Sequence, residues 1–357
     1  MTSQNRKILL VTFSDNSDHQ DITFGMYEAM YPQYNIWLMC IKNPRAQLSL
    51  SNHTKLVDCP KRPGVNIKTF DVFELFKIIR WIRHERFDVI FFESLHVWNL
   101  AIMLMCKKNV CIYQIIHDLI PHEGDRSAKQ VELMNKIVCK ISDYIVLCNQ
   151  KYLNKITELY SVAPVRAKYI DMWRRFPDYS GPGNPQNILF FGRINPYKGA
   201  DNLLEIVDLC PDLHFTIMSK VDSQVEQIIE ELKLRANVDV ITGYVSNSEM
   251  DEAFINAGCV ILPYNSATQS GVVIDAYRYG RPAIAFNVGA ISEQIDENIS
   301  GYLVEPNNNK AFAKKIYDVV TMKHDQYCTF CKAAYDFGKN KYSAVGAVER
   351  FLELIDT

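Results

Sequence analysis

Two cations stand close together in the stretch NILFFGRINPYKGADNLLEIV, residues 187 to 207. Arg193 ends an apolar run that reads as a strand. Lys198 follows in a short turn with Pro196, where an amphipathic run begins. Gly192 and Gly199 flank the pair and let the backbone come close to a ligand. A guanidinium fork grips phosphate oxygens, an ammonium adds a point charge, and a helix N-terminus adds unpaired N–H groups. A diphosphate suits that set. An interdomain salt bridge and a surface lysine suit it equally, and these residues alone do not choose.

The second stretch is PYNSATQSGVVIDAYRYGRPAIAFNVGAISEQI, residues 263 to 295. A polar loop, Asn265 to Ser270, leads into Gly271 and a helix that stops at Gly280. The amides of Ser270, Gly271 and Val272 can face an anion there. Thr268 and Ser270 would otherwise be ordinary N-caps. Asp275 lies about one helical turn inside. An acid there complements the helix dipole, or its two acceptor oxygens hold a vicinal diol such as a ribose. In the first half, IIHDLIPHEGD puts His117 and Asp118 at the carboxyl end of a strand, with His122 and Glu123 on the same loop. Read alone, His117 is better explained as a core histidine bonded to a backbone carbonyl. The stretch SDNSDHQDITFG after the first strand, with Asp15, reads as a loop beside the same region. Its acids lack the glycine and terminal glutamate of a calcium loop.

These residues need elements to position them. KILLVTF, NIWLMCI, DVIFFES, VCIYQIIHD, DYIVLCN and VRAKYI read as buried strands. DVFELFKIIRWIRHERF, KQVELMNKIVCKI and QKYLNKITELY carry helical spacing between them. Continuous apolar strands linked by helices imply a parallel, doubly wound α/β sheet. After the Pro- and Gly-rich stretch DMWRRFPDYSGPGNPQ the alternation restarts with NILFFGR, HFTIMSK, VDVITGY, CVILPYN, PAIAFNV and GYLVEP, and the tail beyond about Lys310 reads as all-helical. The expected organisation is a Rossmann-like domain over 1–172, a linker over 173–186, and a second Rossmann-like domain over 187–340. A C-terminal helix over 341–357 could pack back on the first domain. Ligands of such sheets bind beyond the carboxyl ends of the strands, here in the cleft expected between the two domains.

The pair FFGRINPYKG and SATQSGVVIDAYRYGRPAIAFNVGAISEQI, followed by GYLVEP, resembles the nucleotide-binding half of the retaining family 4 glycosyltransferases of the GT-B fold (glycosyl transferases group 1). The likeness covers residues 187 to 320 closely and the first half loosely. It implies that Arg193 and Lys198 hold the diphosphate of a nucleotide sugar. It also implies that Asp275 is the ribose ligand and that His117 contacts the donor sugar. The family's first glutamate falls on Ala267 here. The resemblance therefore leaves Thr268, Gln269 and Ser270 to meet the sugar, and Asp15, Asp118, His122 and Glu123 as acceptor-side candidates.

The net charge of -2 gives no global attraction to nucleic acid. The N-terminal apolar run is too short to span a bilayer, and the scattered cysteines look like reduced cytosolic ones. HDQYCTFC offers His324, Cys328 and Cys331 but no second cysteine pair for zinc. FKIIRWIRHERF and MWRRFPDY mix arginine with aromatics. They could touch a membrane interface, or be an ordinary amphipathic helix and a linker. The expected protein is a cytoplasmic, metal-independent retaining glycosyltransferase without a resident cofactor, able to sit at the inner face of the plasma membrane. A UDP-sugar is favoured over a GDP-sugar as donor, a glycan or lipid-linked molecule is the acceptor, and cell-surface polysaccharide synthesis is the setting. The alternatives are a degenerate GT-B binding subunit and a GT-B nucleotide-sugar epimerase.

Overall fold

The run ILLVT at residues 8–12 is buried at every position, which is possible only for a strand covered on both faces. A computed structural model, which describes residues 6–42, 44–58, 67–120, 128–243 and 245–356, shows what covers it. The chain divides into two compact units, Met1–Arg175 with Tyr342–Thr357, and Phe176–Lys341.

The first unit contains β1 (Ile8–Thr12), α1 (Ser17–Met30), β2 (Ile36–Ile41), β3 (Thr54–Val57), α2 (Val72–Glu85) and β4 (Val89–Phe92). It continues with α3 (Val97–Cys106), β5 (Cys111–Ile116), α4 (Ala128–Ile141), β6 (Tyr144–Leu147), α5 (Leu153–Tyr160) and β7 (Ala167–Tyr169). Its seven strands are all parallel, in the order β3-β2-β1-β4-β5-β6-β7. Leu10 is paired with Leu38 on one side and Phe91 on the other. The second unit contains β8 (Asn187–Phe191), α6 (Ala200–Leu209), β9 (His214–Ser219), α7 (Glu226–Lys233), β10 (Val238–Thr242) and α8 (Asn247–Asn256). There follow β11 (Cys259–Leu262), α9 (Gly271–Arg278), β12 (Ala283–Phe286), β13 (Gly301–Val304), α10 (Asn309–Val320) and α11 (His324–Tyr342). Its six parallel strands run β10-β9-β8-β11-β12-β13.

The last helix, α12 (Ala344–Asp356), belongs to the first unit and packs on α1. Gly25 permits the approach: a β-carbon there would lie 3.4 Å from Ala344 Cβ and 3.2 Å from Arg175 Cγ. Trp173, expected in a linker, is buried in the first unit and donates to the Ile22 carbonyl at 2.7 Å. The stretch expected as a loop after β1 is mostly helix. Asn16 caps α1 by accepting from the Asp18 amide at 2.9 Å. No helix among the described residues is long and apolar enough to cross a membrane.

Both sheets reverse strand order once. The reversal lies between β1 and β4 in the first and between β8 and β11 in the second. In open parallel sheets the loops leaving two such strands diverge to opposite faces and leave a crevice for a ligand.

Candidate functional site

In the second unit the loops at the reversal are those after β8 and β11. Beyond Phe191 the chain stays laddered to β9: Gly192 N donates to Met218 O, and Ile194 N to Lys220 O, each at 3.0 Å. Side chains alternate along extended backbone, so burying Ile194 turns Arg193 outward. Arg193 is exposed and has no hydrogen bond or ion pair among the described residues. Gly192, at φ 104°, is where the pieces meet. A β-carbon on it would lie 3.6 Å from both Lys198 Nζ and Val272 Cγ2 of α9.

Lys198 closes a 3-10 turn, Pro196–Lys198, capped by Asn195, whose side chain accepts from the Lys198 amide at 3.2 Å. Its half-buried ammonium donates to the Tyr264 hydroxyl at 3.1 Å. Burial pulls its pKa down, Arg193 adds to that, and the tyrosines Tyr264 and Tyr197 outweigh both, so the net shift is upward. Lys198 therefore stays charged.

The two loops are stitched to each other. Asn265 N donates to Tyr197 O at 2.8 Å, and Asn202 Nδ2 donates to Pro263 O at 3.1 Å and to Asn265 Oδ1 at 2.8 Å. Gly199 sits against this seam at φ 72°, where a β-carbon would lie 1.8 Å from Pro263 O. Gly199→Ala is expected to destabilise the second unit by roughly 1–3 kcal/mol from overpacking, with roughly 1–2 kcal/mol more from the left-handed backbone. A shift of the urea midpoint followed by circular dichroism measures it. An unchanged midpoint would mean that the seam is not rigid.

Around α9 several of the expected contact groups are buried or already hydrogen-bonded. The Ser270 amide is not open to a phosphate. It donates to Gln294 Oε1 at 2.7 Å, while Gln294 Nε2 donates to Ser270 O at 3.0 Å. The Ser270 hydroxyl, by contrast, is buried without a partner among the described residues. Gly271 and Val272 start α9, where first-turn amides lack partners within the helix. Ala267 and Thr268 are each only 5% exposed, and Gly289 abuts the Ala267 carbonyl. Gln269 alone of the three expected sugar contacts is half-open. Asp275 is buried in α9 and accepts from Arg278 at 3.0 Å, so a diol there would compete with a guanidinium.

In the first unit the segments after β1, β4 and β5 carry a cluster that was only partly expected. Glu93, 1% exposed, follows β4. Its Oε1 lies 2.7 Å from His19 Nδ1 on α1 and 2.7 Å from His117 Nε2 after β5. The two rings meet edge to face with centroids 4.8 Å apart. Burial pushes the Glu93 pKa up, but the two imidazoles overcome it and bring it to about 2. Burial pushes His117 down. The nearby Cys148 thiol and the hydrogen-bonded Glu93 raise it to about 9 against the opposing charge of His19. His19 is also raised: Glu93 outweighs its burial. The geometry is that of one carboxylate shared by two imidazole rings, and the upward shifts of both histidines favour their charged forms. The three side chains could also hold a metal ion, since their ligand atoms lie within 4.8 Å of one another.

His117 Nε2 is thus engaged by Glu93, at 2.7 Å from its Oε1 and 3.1 Å from its carbonyl, whereas His19 is the more exposed ring of the pair, at 28% against 17%. Asp118 is exposed at the end of the same loop, and its carbonyl accepts from Asn135. Asp15 lies 3.8 Å from Arg45. His122 and Glu123 lie outside the described residues. In α11, Cys331 is buried in the core and Cys328 Sγ lies 3.5 Å from His324 Nε2. His19, Glu93 and Gln294 are the residues that sequence reasoning missed.

Residues 171–342 match the family model for glycosyl transferases group 1. An uncharacterized 41.2 kDa protein in the cps region of Klebsiella pneumoniae is 25% identical over 315 residues, 82% of this chain and 85% of that protein. A D-inositol 3-phosphate glycosyltransferase of Paenarthrobacter aurescens is 27% identical over 184 residues, 47% of this chain and 44% of that protein. Among solved structures, HepE of Anabaena in complex with UDP and glucose superposes with a TM-score of 0.73 at 13% identity, over 99% of this chain and 100% of that one. Sucrose-phosphate synthase of Thermosynechococcus elongatus gives 0.71 at 15% identity, over 99% and 98%. At such identities the likeness is one of fold, and the fold is GT-B: two α/β units, each with a parallel sheet.

Proposed function

We propose that this chain is a retaining glycosyltransferase that takes a sugar from a UDP-sugar without a metal ion or resident cofactor. The observation that carries the reading is the meeting of Lys198 and the first turn of α9 at Gly192, beside an unpaired Arg193. A nucleoside diphosphate leaving group gains negative charge as the glycosidic bond breaks. Arg193, Lys198, the amides of Gly271 and Val272, and the Ser270 hydroxyl are the groups to stabilise that charge. One such contact commonly accounts for on the order of a hundredfold in rate. The departing phosphate takes the proton of the acceptor hydroxyl, so attack and departure share one face and configuration is retained. Asp275 holds the ribose once Arg278 yields, and Gln269 meets the sugar. In the first unit, His117 and His19, locked by Glu93, serve the sugar and the acceptor.

Cytoplasmic synthesis of a cell-surface polysaccharide, on a glycan or lipid-linked acceptor, is the setting we favour. Names among the similar proteins support the class: a D-inositol 3-phosphate glycosyltransferase, and HepE solved with UDP and glucose. A second reading is favoured by the burial of Ala267 and Thr268: a degenerate transferase that binds nucleotide without transferring.

The test is a melting screen in EDTA against UDP, GDP and ADP, followed by assay of UDP-sugar hydrolysis. UDP at about a hundred times its dissociation constant should stabilise the fold by about 2.7 kcal/mol, a rise of several degrees. Slow hydrolysis should accompany it, and both should survive the chelator. Stabilisation without hydrolysis would select the degenerate reading. Stabilisation only with added manganese would overturn the metal-free one, and stabilisation by none of the three would overturn the nucleotide site.

A further inference from the structure

The first unit presents an apolar and basic stripe with no use in the chemistry above. Helix α2 buries Ile78, Ile79 and Ile82 against its own unit. On its other side Phe73, Phe76, Lys77, Arg80 and His84 fall within roughly 100° of arc, and all five are exposed. Phe73 is 80% exposed and Phe76 57%. Phe70, in the turn before the helix, is 77% exposed. Isolated exposed apolar residues are ordinary, but three phenylalanines at one helix end are not.

The neighbouring helix extends the surface. Trp98 Nε1 donates to Thr69 O at 3.0 Å, and Arg83 donates to Met105 O at 2.5 Å, so α2 and α3 run side by side in the same direction. Exposed Leu104 and Met105 of α3 lie level with the basic end of α2. There the stripe reaches a groove of about 540 Å³ lined by Arg83, Arg86, Lys108 and Asp88 among others. Asp88 is already engaged by the Lys7 amide at 2.7 Å. The acids of α2 are engaged too, Glu74 by Lys77 at 3.1 Å and Glu85 by Lys7 at 2.7 Å. Asp71, the exposed N-cap of α2, and Asp88 keep their charge, but the exposed Arg80, Arg83, Arg86 and Lys108 outnumber them, so the net charge facing outward is positive.

We propose that this face, aromatic at one end and basic at the other, docks the chain on an anionic membrane surface. Phenylalanines enter the boundary between headgroups and acyl chains while the arginines meet lipid phosphates. This is the division of labour of an interfacial helix. A net charge of -2 would not bring the whole chain to such a surface, so the patch has to. The aromatic end starts beside Trp98, just past the carboxyl end of β4, the sheet edge that also carries Glu93. The proposal does not depend on the catalytic reading. If both hold, the acceptor is drawn from the lipid phase.

Sedimentation with vesicles tests it. One set is phosphatidylcholine with about one third phosphatidylglycerol, at low and high salt; the other is phosphatidylcholine alone. The full chain should bind the anionic vesicles and fall away as salt rises. Phe73→Ser with Phe76→Ser should weaken binding by on the order of tenfold or more, and Arg80→Glu by several-fold. Both variants should keep near-wild-type melting and UDP affinity, since the changed side chains are exposed and lie on the face of α2 away from its buried isoleucines. Equal binding of wild type and the double serine variant would overturn the proposal, as would no binding by the wild type. A dimer by light scattering that the serine variant abolishes would overturn it in favour of a second copy as the partner.

Discussion

Replacing Arg193 and Lys198 together by alanine is expected to remove measurable UDP binding while the second unit stays folded. The two cations come from the two ends of one short loop. Arg193 is turned outward by the buried Ile194, and Lys198 is held at Gly192 by a capped turn and the Tyr264 hydroxyl. A charge-assisted hydrogen bond contributes about 1.5–3 kcal/mol. Two lost contacts therefore move a micromolar ligand to about millimolar or weaker. Arg193 is exposed and makes no hydrogen bond or ion pair among the described residues, so Arg193→Ala alone should leave the melting temperature within about a degree. Lys198→Ala also removes the donor to Tyr264 and should cost some stability. The loss of affinity should exceed what that instability explains, and it should be shared by UDP and the UDP-sugar. Contacts made equally to ground state and transition state raise KM, whereas charge stabilisation that grows as the bond breaks lowers kcat. Both should appear in these variants.

Glu93→Gln is expected to have the second large effect, and its sign can be worked out from the shifts. The Glu93 carboxyl lies at about 2, below its ordinary 4.5. Its contribution to stability is fully present above pH 4.5 and fades as pH falls through 2. His117 lies at about 9, above its ordinary 6.5. Its contribution is fully present below pH 6.5 and is lost as pH rises through 9. Full stability of the first unit is therefore expected between pH 4.5 and 6.5. The loss by pH 9 is on the order of 3 kcal/mol, counted once for the shared pair. The glutamine keeps the shape and removes the charge that holds both rings protonated. Removing one partner of such a buried pair costs about 3–5 kcal/mol. All four tryptophans, Trp37, Trp81, Trp98 and Trp173, lie in the first unit, so their fluorescence in urea reports on that unit. The wild type should lose stability from pH 6.5 to 9 and the variant should not. An imidazole NMR titration should show His117 moving down from about 9, because the charge and hydrogen bond of Glu93 no longer raise it. A His117 that titrates near 6.5 in both proteins would mean that the shared carboxylate is not its partner in solution.

Most of the sheet architecture was legible, for a reason that also explains the gaps. Strands covered on both faces become continuous apolar runs. All six expected in the second half are β8 to β13, and the six in the first half are β1, β2, β4, β5, β6 and β7. The four-residue edge strand β3 carries too little of that signal. Helix α1 was hidden because eight of its 14 residues are buried, including Gln20 and Thr23, so apolar and polar residues do not separate cleanly onto two faces. His19 was hidden with it. Glu93 stands in DVIFFES as the tail of a strand; nothing local says that two imidazoles from distant segments close on it.

The proposed anion site rests on local chemistry and backbone in the Gly192–Arg193 and Lys198–Gly199 pairs, which a sequence shows. It does not show where a distant side chain intervenes. The Ser270 amide is taken by Gln294, 24 residues further on, and an N-cap pattern cannot reveal that. Ala267 was seen as a departure from the resembled family. The close approach of Gly289, which leaves that position buried, belongs to packing.

The most direct test of the nucleotide site is a calorimetric titration of UDP into the wild type, Arg193→Ala, Lys198→Ala and the double variant, in EDTA and at one salt concentration. The expected result is one site in the wild type, a loss of roughly tenfold or more in each single variant, and no detectable heat in the double. UDP affinity unchanged in both single variants would contradict it, because the diphosphate would then lie away from the loops after β8 and β11.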